Sequence, residues 1–140
     1  MNKVDDTGKE RSQINMDRKP RILVVDDDPD IVKEVSRVLK SKAYEVIVAY
    51  NGEEGLQKAR KEKPDLLLLD VMMPVMDGFN VAEHFKRDSS LSQIPILALT
   101  SFSESLGQPF QFEVAEYLKK PIRAKDLLDA LEKHLKRIGF

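Results

Sequence analysis

The polar residues of this chain that could do chemistry stand at the ends of apolar runs. Asp26, Asp27 and Asp28 follow RILVV, Asp70 follows LLLL, Thr100 and Ser101 follow IPILAL, and Lys120 with Pro121 follows AEYLK. If these runs lie side by side, three acids, a hydroxyl and an ammonium converge. Grouped carboxylates need a reason, because two unit charges about 4 Å apart cost about 4 kcal/mol at an effective dielectric near 20. A hard divalent cation supplies one. Mg²⁺ takes oxygen ligands, typically one or two carboxylates with waters and phosphate oxygens, which makes Asp26, Asp27 and Asp70 its candidate ligands. A phosphoryl group on Asp70 would then have its charge compensated by the metal on one side and Lys120 on the other, with Thr100 donating to a phosphoryl oxygen. The chemistry is attack by a carboxylate on phosphorus, giving an aspartyl phosphate. Taken alone, Asp70 reads equally well as a turn former. His84 and His134 fall on predicted helices away from these run ends, and both are expected to be solvated surface residues.

The elements must therefore bring the run ends together. Residues 21–25 are short, apolar and β-branched, and read as a strand. Pro29 suits a first helical turn, after which Ile31, Val35, Val38 and Leu39 share a face at helical spacing. Residues 44–49 (YEVIVA) form a second strand, broken by Asn51-Gly52 before a helix through Leu56 and Ala59 that ends ahead of Pro64. The leucines of 65–69 are too few for an isolated helix and predict a strand buried on both faces, the habit of parallel sheets. Asp77-Gly78 opens a helix with Phe79, Val81, Ala82 and Phe85. Residues 94–99 form a fourth strand, with Pro95 near its start. Gly107 and Pro109 limit 102–113 to a short or broken helix. Residues 115–119 form a fifth strand, and Leu127, Leu128, Leu131, Leu135 and Ile138 mark the apolar side of a final helix. Five strand-helix units predict an α/β fold, a doubly wound, flavodoxin-like parallel sheet of order 2-1-3-4-5 with right-handed crossovers. That order places Asp26, Asp27, Asp70, Thr100 and Lys120 on one sheet edge, the crevice where such sheets bind ligands.

Composition bounds the remaining possibilities. A chain of 140 residues, 41% hydrophobic, has the size of one domain with one core. Its 23 basic and 24 acidic residues nearly cancel, so no overall field favours nucleic acid or an anionic membrane. Lack of cysteine excludes disulfides and thiolate metal sites. No apolar run approaches bilayer length and the amino terminus lacks a signal-type segment, so a soluble, cytoplasmic protein is expected. Residues 1–19 are polar and aperiodic and are expected to be a disordered tail ahead of a domain at 20–140, with Met16 as an alternative start.

With these motifs in hand, the sequence resembles a response-regulator receiver domain of two-component signalling, similar to the chemotaxis regulators, from about Arg21 to Ile138. The carrying motifs are VVDDD at 24–28, LLLLDVMMPVMDG at 66–78, ALTS at 98–101 and YLKKP at 117–121. Each is weak alone; four in order at strand ends are highly specific. The resemblance implies that Asp70 accepts phosphate from a histidine kinase or a histidine phosphotransfer protein. It implies that Asp26 and Asp27 hold Mg²⁺ with Asp70 and the backbone carbonyl of Met72, and that Thr100 and Lys120 read the phosphoryl group. Tyr117 would be the aromatic rotamer switch coupled to Thr100, and Lys120-Pro121 a cis peptide. Such a domain is not a conventional enzyme: it catalyses its own phosphorylation and slow dephosphorylation. It passes its state to a downstream protein partner or a missing output domain, without direct nucleic-acid or membrane binding, and a phosphorylation-dependent homodimer is a further expectation. No output domain is visible, which fits a stand-alone receiver or a fragment of a longer chain.

The departure from the family lies between Thr100 and Tyr117, where the connection is somewhat short and FEVAEY stands in place of the usual Gly-Ala pair. That puts the output surface, not the phosphorylation site, in doubt. The alternative is a degenerate receiver acting as a phosphorylation-independent binding module, against which the intact acid set, Thr100 and Lys120 weigh. A haloacid-dehalogenase phosphohydrolase would need an acid where Met72 stands. A flavodoxin phosphate would be repelled by the acidic triplet. Met72 and Phe102 occupy the positions that, in the resemblance, flank the path of hydrolytic water, and neither side chain can orient one by strong hydrogen bonding. Slow loss of phosphate is expected, with Met72→Asn or Phe102→Glu accelerating it. Timing phosphate release from the parent and both variants checks this, and equal rates in all three would place the control of water elsewhere.

Overall fold

The computed structural model describes residues 18–71, 77–101 and 114–140. Met72, Phe102 and the rest of 102–113, together with the side chain of Phe79, lie outside the described residues. Within them, β1 (Arg21–Val25), α1 (Pro29–Lys40), β2 (Glu45–Ala49), α2 (Gly52–Glu62), β3 (Leu66–Asp70), α3 (Asp77–Arg87), β4 (Ile96–Thr100), β5 (Glu116–Lys119) and α4 (Ala124–Arg137) follow in chain order. The strands form one parallel sheet of order β2-β1-β3-β4-β5, the order expected from the sequence.

Burial explains why these residues adopt these elements. Leu66 to Leu69 are all fully buried, and alternate between the two sides of the sheet. Ile22, Val24, Leu66, Leu68, Leu97 and Leu99 pack with α1 and α4. Leu23, Val25, Leu67, Leu69, Ile96 and Ala98 pack with α2 and α3. Each such leucine contributes about 1.5–3 kcal/mol relative to exposure, so a one-residue slip in register would be prohibitive.

The helices start where the sequence supplies caps. Asp28 caps α1 by accepting from the Asp30 amide at 2.9 Å, with Pro29 in the first turn. Asn51 caps α2 by accepting from the Glu54 amide at 2.8 Å, and Glu54 accepts in return from the Tyr50 amide at 2.8 Å. The α2 helix ends on Lys63 in the left-handed region at φ 51°.

Several boundaries differ from the sequence expectation for physical reasons. The β4 strand begins after Pro95, which has no amide hydrogen for the ladder and contributes only its carbonyl, accepting from Leu67 at 3.0 Å. Tyr44 belongs to the turn that ends α1, its amide donating to Leu39 at 3.3 Å, and β2 starts at Glu45. Val32, not Ile31, is the buried residue of the first turns of α1. The larger correction is His134. Expected to be solvated, it is buried, and its Nε2 lies 2.8 Å from Glu116 Oε1 on β5. The inner face of α4 runs through Leu127, Ala130, Leu131, His134 and Leu135, so position overrode residue type and Glu116 satisfies the ring. Lys133 reaches the same Glu116 oxygen at 3.2 Å, and the His134 hydrogen bond holds the Glu116 carboxyl below its ordinary value.

Candidate functional site

The carboxyl edge of β1, β3 and β5 gathers the charged residues singled out in the sequence. Side-chain alternation puts Asp26 beyond Ile22 and Val24, Asp70 beyond Leu66 and Leu68, and Lys120 beyond Leu118, all on the side of the sheet covered by α1 and α4. Carboxylate oxygens of Asp26, Asp27 and Asp70 lie within 4.8 Å of one another. Lys120 Nζ stands 3.3 Å from Asp70 Oδ2 and 3.4 Å from Asp26 Oδ2, bridging the two buried acids. Asp27 is exposed at the mouth of the group.

The acidic triplet after β1 thus divides into three tasks that its sequence does not separate. Asp26 is 1% exposed and turns back to accept from the Asp28 amide at 2.9 Å. Asp27 faces solvent beside it, and Asp28 is consumed as the cap of α1. Burial pushes the Asp26 carboxyl up to about 6, the nearby Asp70 charge adds to the effect, and the Asp28 amide and Lys120 oppose it. Charge is therefore held at this edge at a cost, as the crowding of acids in the sequence implies.

Thr100 is buried at the end of β4, and by alternation it follows Ile96 and Ala98 onto the opposite side, covered by α2 and α3. Tyr117 packs half-buried on that same side, paired in register with Ala98. Burial raises its hydroxyl above the ordinary tyrosine range. The backbone ties β4 to the loop of Lys120 through the Lys120 amide, which donates to the Thr100 carbonyl at 2.8 Å, and Lys120-Pro121 is cis. Of the residues expected at the site, Asp26, Asp27, Asp70 and Lys120 come together, and Thr100 and Tyr117 share the other face. Met72 lies outside the described residues.

One residue that the motif reading quoted without a role is Gly78, in the first turn of α3. A Cβ there would sit 2.5 Å from Val71 Cα and 2.7 Å from the Asp70 carbonyl oxygen. The helix start is thus packed on the backbone that carries Asp70, and only glycine permits that approach. Beside Lys120, a cleft of about 480 Å³ opens between α1 and the residues after β5, lined by Ile31, Glu34, Val35, Leu99, Pro121 and Ile122.

The donor set fits a hard cation: three carboxylates, two of them buried and held close together, with no sulfur or imidazole among them.

Known proteins resemble this chain in sequence and in fold. A family model described as Response regulator receiver domain matches residues 22–132. The DNA-binding dual master transcriptional regulator RpaA of Synechocystis sp. is 38% identical over 120 residues, covering 84% of this chain and 50% of that protein. Protein PilH of Pseudomonas aeruginosa is 32% identical over 113 residues, covering 79% of this chain and 93% of PilH. Among solved structures, chemotaxis response regulator CheY4 of Vibrio cholerae superposes with a TM-score of 0.76 at 35% identity, covering 83% of this chain and 98% of that one. The chain spans about half the length of the transcriptional regulators it matches, and 8% of hybrid signal transduction histidine kinase D of Dictyostelium discoideum.

Proposed function

The chain belongs to the response regulator receiver domain family, and on that premise we propose that Asp70 is its phosphoacceptor. An oxygen of Asp70 attacks the phosphorus of a phosphohistidine on a histidine kinase or a histidine phosphotransfer protein. The new P–O bond forms as the P–N bond to the histidine breaks, leaving an aspartyl phosphate and a free imidazole. The observation that carries this reading is the position of Lys120 Nζ, 3.3 Å from Asp70 and 3.4 Å from Asp26. It sets a fixed ammonium where charge accumulates on the phosphoryl oxygens and counters the two buried acids while the site is empty of phosphate.

Asp26, Asp27 and Asp70 would hold Mg²⁺, together with the Met72 carbonyl. Bound there, the ion supplies a positive charge that neutralises phosphoryl oxygens and favours attack by a carboxylate. Asp26 and Asp27 orient that charge, and Asp28 keeps the start of α1 in place beneath them. Thr100 reads the phosphoryl group and passes the change to Tyr117 on its own side of the sheet, altering the surface a downstream protein binds. The cleft between α1 and Pro121 supports approach of the donor alongside Asp70. No described helix is long and apolar enough to cross a membrane. We place the domain in the cytoplasm, acting through protein partners or a linked output domain without touching nucleic acid itself, and as a homodimer on phosphorylation. The grouped acids and the ammonium between them weigh against a phosphorylation-independent binding module.

Acetyl phosphate with Mg²⁺ tests the proposal without knowledge of the kinase. One phosphoryl group should appear in the intact mass, chelator should prevent it, and beryllium fluoride with Mg²⁺ should bind in competition with it. A protein that takes up neither phosphoryl group nor beryllium fluoride would be a binding module instead.

A further inference from the structure

We propose that Arg18 is a strap, closing the folded unit at the sheet edge remote from Asp70 and holding the end of α4 by a contact that opens without disturbing the acidic edge. Asp65 immediately precedes β3, and its side chain is only 10% exposed. Its two oxygens meet the Arg18 guanidinium fork to fork, Nη2 to Oδ1 and Nη1 to Oδ2, both at 2.8 Å. The Arg21 amide adds a third bond to Oδ2 at 2.8 Å, and the Asp65 amide donates to the Arg21 carbonyl at 2.8 Å. Paired bonds of this kind are stronger than a single surface contact, and a nearly buried carboxylate has more to lose from their removal than an exposed one.

The same guanidinium lies over the ring of Phe140, 5.4 Å from its centroid. Phe140 packs against the core layer of α1 and α4, and its amide donates to the Leu135 carbonyl at 3.0 Å. One side chain therefore joins the start of β3 to the end of the last helix. The edge it closes is separated from Asp70 by the length of β3, about 16 Å at 3.3 Å per residue. Local opening of a helix end is an expected low-energy fluctuation of a folded domain.

The test uses the full chain and the variants Arg18→Ala, Arg18→Lys, Asp65→Asn and the double variant Arg18→Ala/Asp65→Asn. Arg18→Ala should melt at least about 3 °C below the parent, and Arg18→Lys, which keeps the charge but loses the fork, should fall between them. The double variant should cost less than the sum of the single ones. Amide exchange in Arg18→Ala should speed up at Leu135, Ile138 and Phe140 and at Asp65, while the amides of Asp26, Asp28 and Val71 keep the parental rate relative to global opening. Parental melting of Arg18→Ala, additive losses, or exchange accelerated equally at both edges of the sheet would each overturn the strap. None of these readouts depends on phosphorylation, so they stand or fall apart from the role of Asp70.

Discussion

Replacing Asp70 by Asn should abolish phosphoryl uptake and, in the absence of metal, raise the melting temperature. The first effect is chemical. An amide oxygen is a poor nucleophile toward phosphorus, and of the two buried acids that Lys120 reaches, Asp26 at 3.4 Å is also engaged by the Asp28 amide. Uptake from acetyl phosphate should fall to background in the intact mass, and labelling that survives would move the acceptor elsewhere. The second effect is electrostatic. Folding presses Asp26, Asp27 and Asp70 together, and the Asp70 charge adds to the burial that pushes Asp26 up to about 6. A carboxyl raised in the folded state contributes stability that is present in acid and is lost as pH rises through about 6, so at neutral pH Asp26 carries a cost, set chiefly by its burial and increased by the Asp70 charge. Asparagine removes one charge and keeps the shape. It relieves that cost and, by the same subtraction, weakens the cation site. A ligand that binds only the folded state stabilises by about 2.7 kcal/mol at a hundredfold excess over its Kd, so the parent should gain several degrees from Mg²⁺ and the variant less. Melts with chelator and with excess Mg²⁺, at one ionic strength to hold screening constant, check both signs. Equal melting temperatures without metal and equal gains with it would show the acids to be uncoupled.

Gly78→Ala should be the most damaging single methyl in the described domain. Its Cβ would meet Val71 Cα at 2.5 Å and the Asp70 carbonyl at 2.7 Å, and both are backbone atoms with no rotamer to change. Either α3 moves off the sheet or the end of β3 moves with it. Overpacking of this kind costs about 1–3 kcal/mol, sometimes more, and Gly78→Val adds two further methyls to the same clash. Asp70 lies on the backbone that must yield, so the rate of phosphoryl uptake should fall along with the melting temperature. Gly55→Ala is the useful contrast, because its Cβ would meet a Val25 side-chain methyl at 2.9 Å, on the side of the sheet away from Asp70. It should lower stability without a matching loss of uptake. A Gly78→Ala protein with the parental melting temperature and uptake rate would show that α3 is not seated on the strand as described.

Much of this architecture is legible in the chain because parallel strands buried on both faces must be continuous apolar runs. Leu66 to Leu69 announce the central strand, and the order of strands follows from strand-helix alternation. The grouping of Asp26, Asp27, Asp70 and Lys120 then follows from order alone, since each ends a run. What stays hidden depends on contacts between residues far apart in sequence, which leave no spacing to read. Glu116 and His134 satisfy each other across β5 and α4, so a histidine that looks like surface occupies the core. Arg18 meets Asp65 and Phe140 from opposite parts of the chain. Asp28 stands next to Asp26 and Asp27 in the chain, and its task as the cap of α1 shows only in the helix it starts. Pro95 falls outside β4 because the ladder there asks for an amide hydrogen it lacks.

The meeting of Arg18 and Phe140 has a consequence for how this unit joins to anything else. Arg18, ahead of β1, and Phe140, after α4, are neighbours in the fold, so the described unit could be spliced into a longer polypeptide as a single bead without stretching either flank. Both points lie on the pole away from Asp70, so a module attached at either one leaves the acidic pole open to an approaching donor. Removing residues 1–17, joining Phe140 to Arg18 with a short glycine-serine linker and reopening the chain in the turn between α3 and β4 would give a rearranged protein with the same sheet. Such a circular permutant should keep the order β2-β1-β3-β4-β5, because no strand would need a new neighbour.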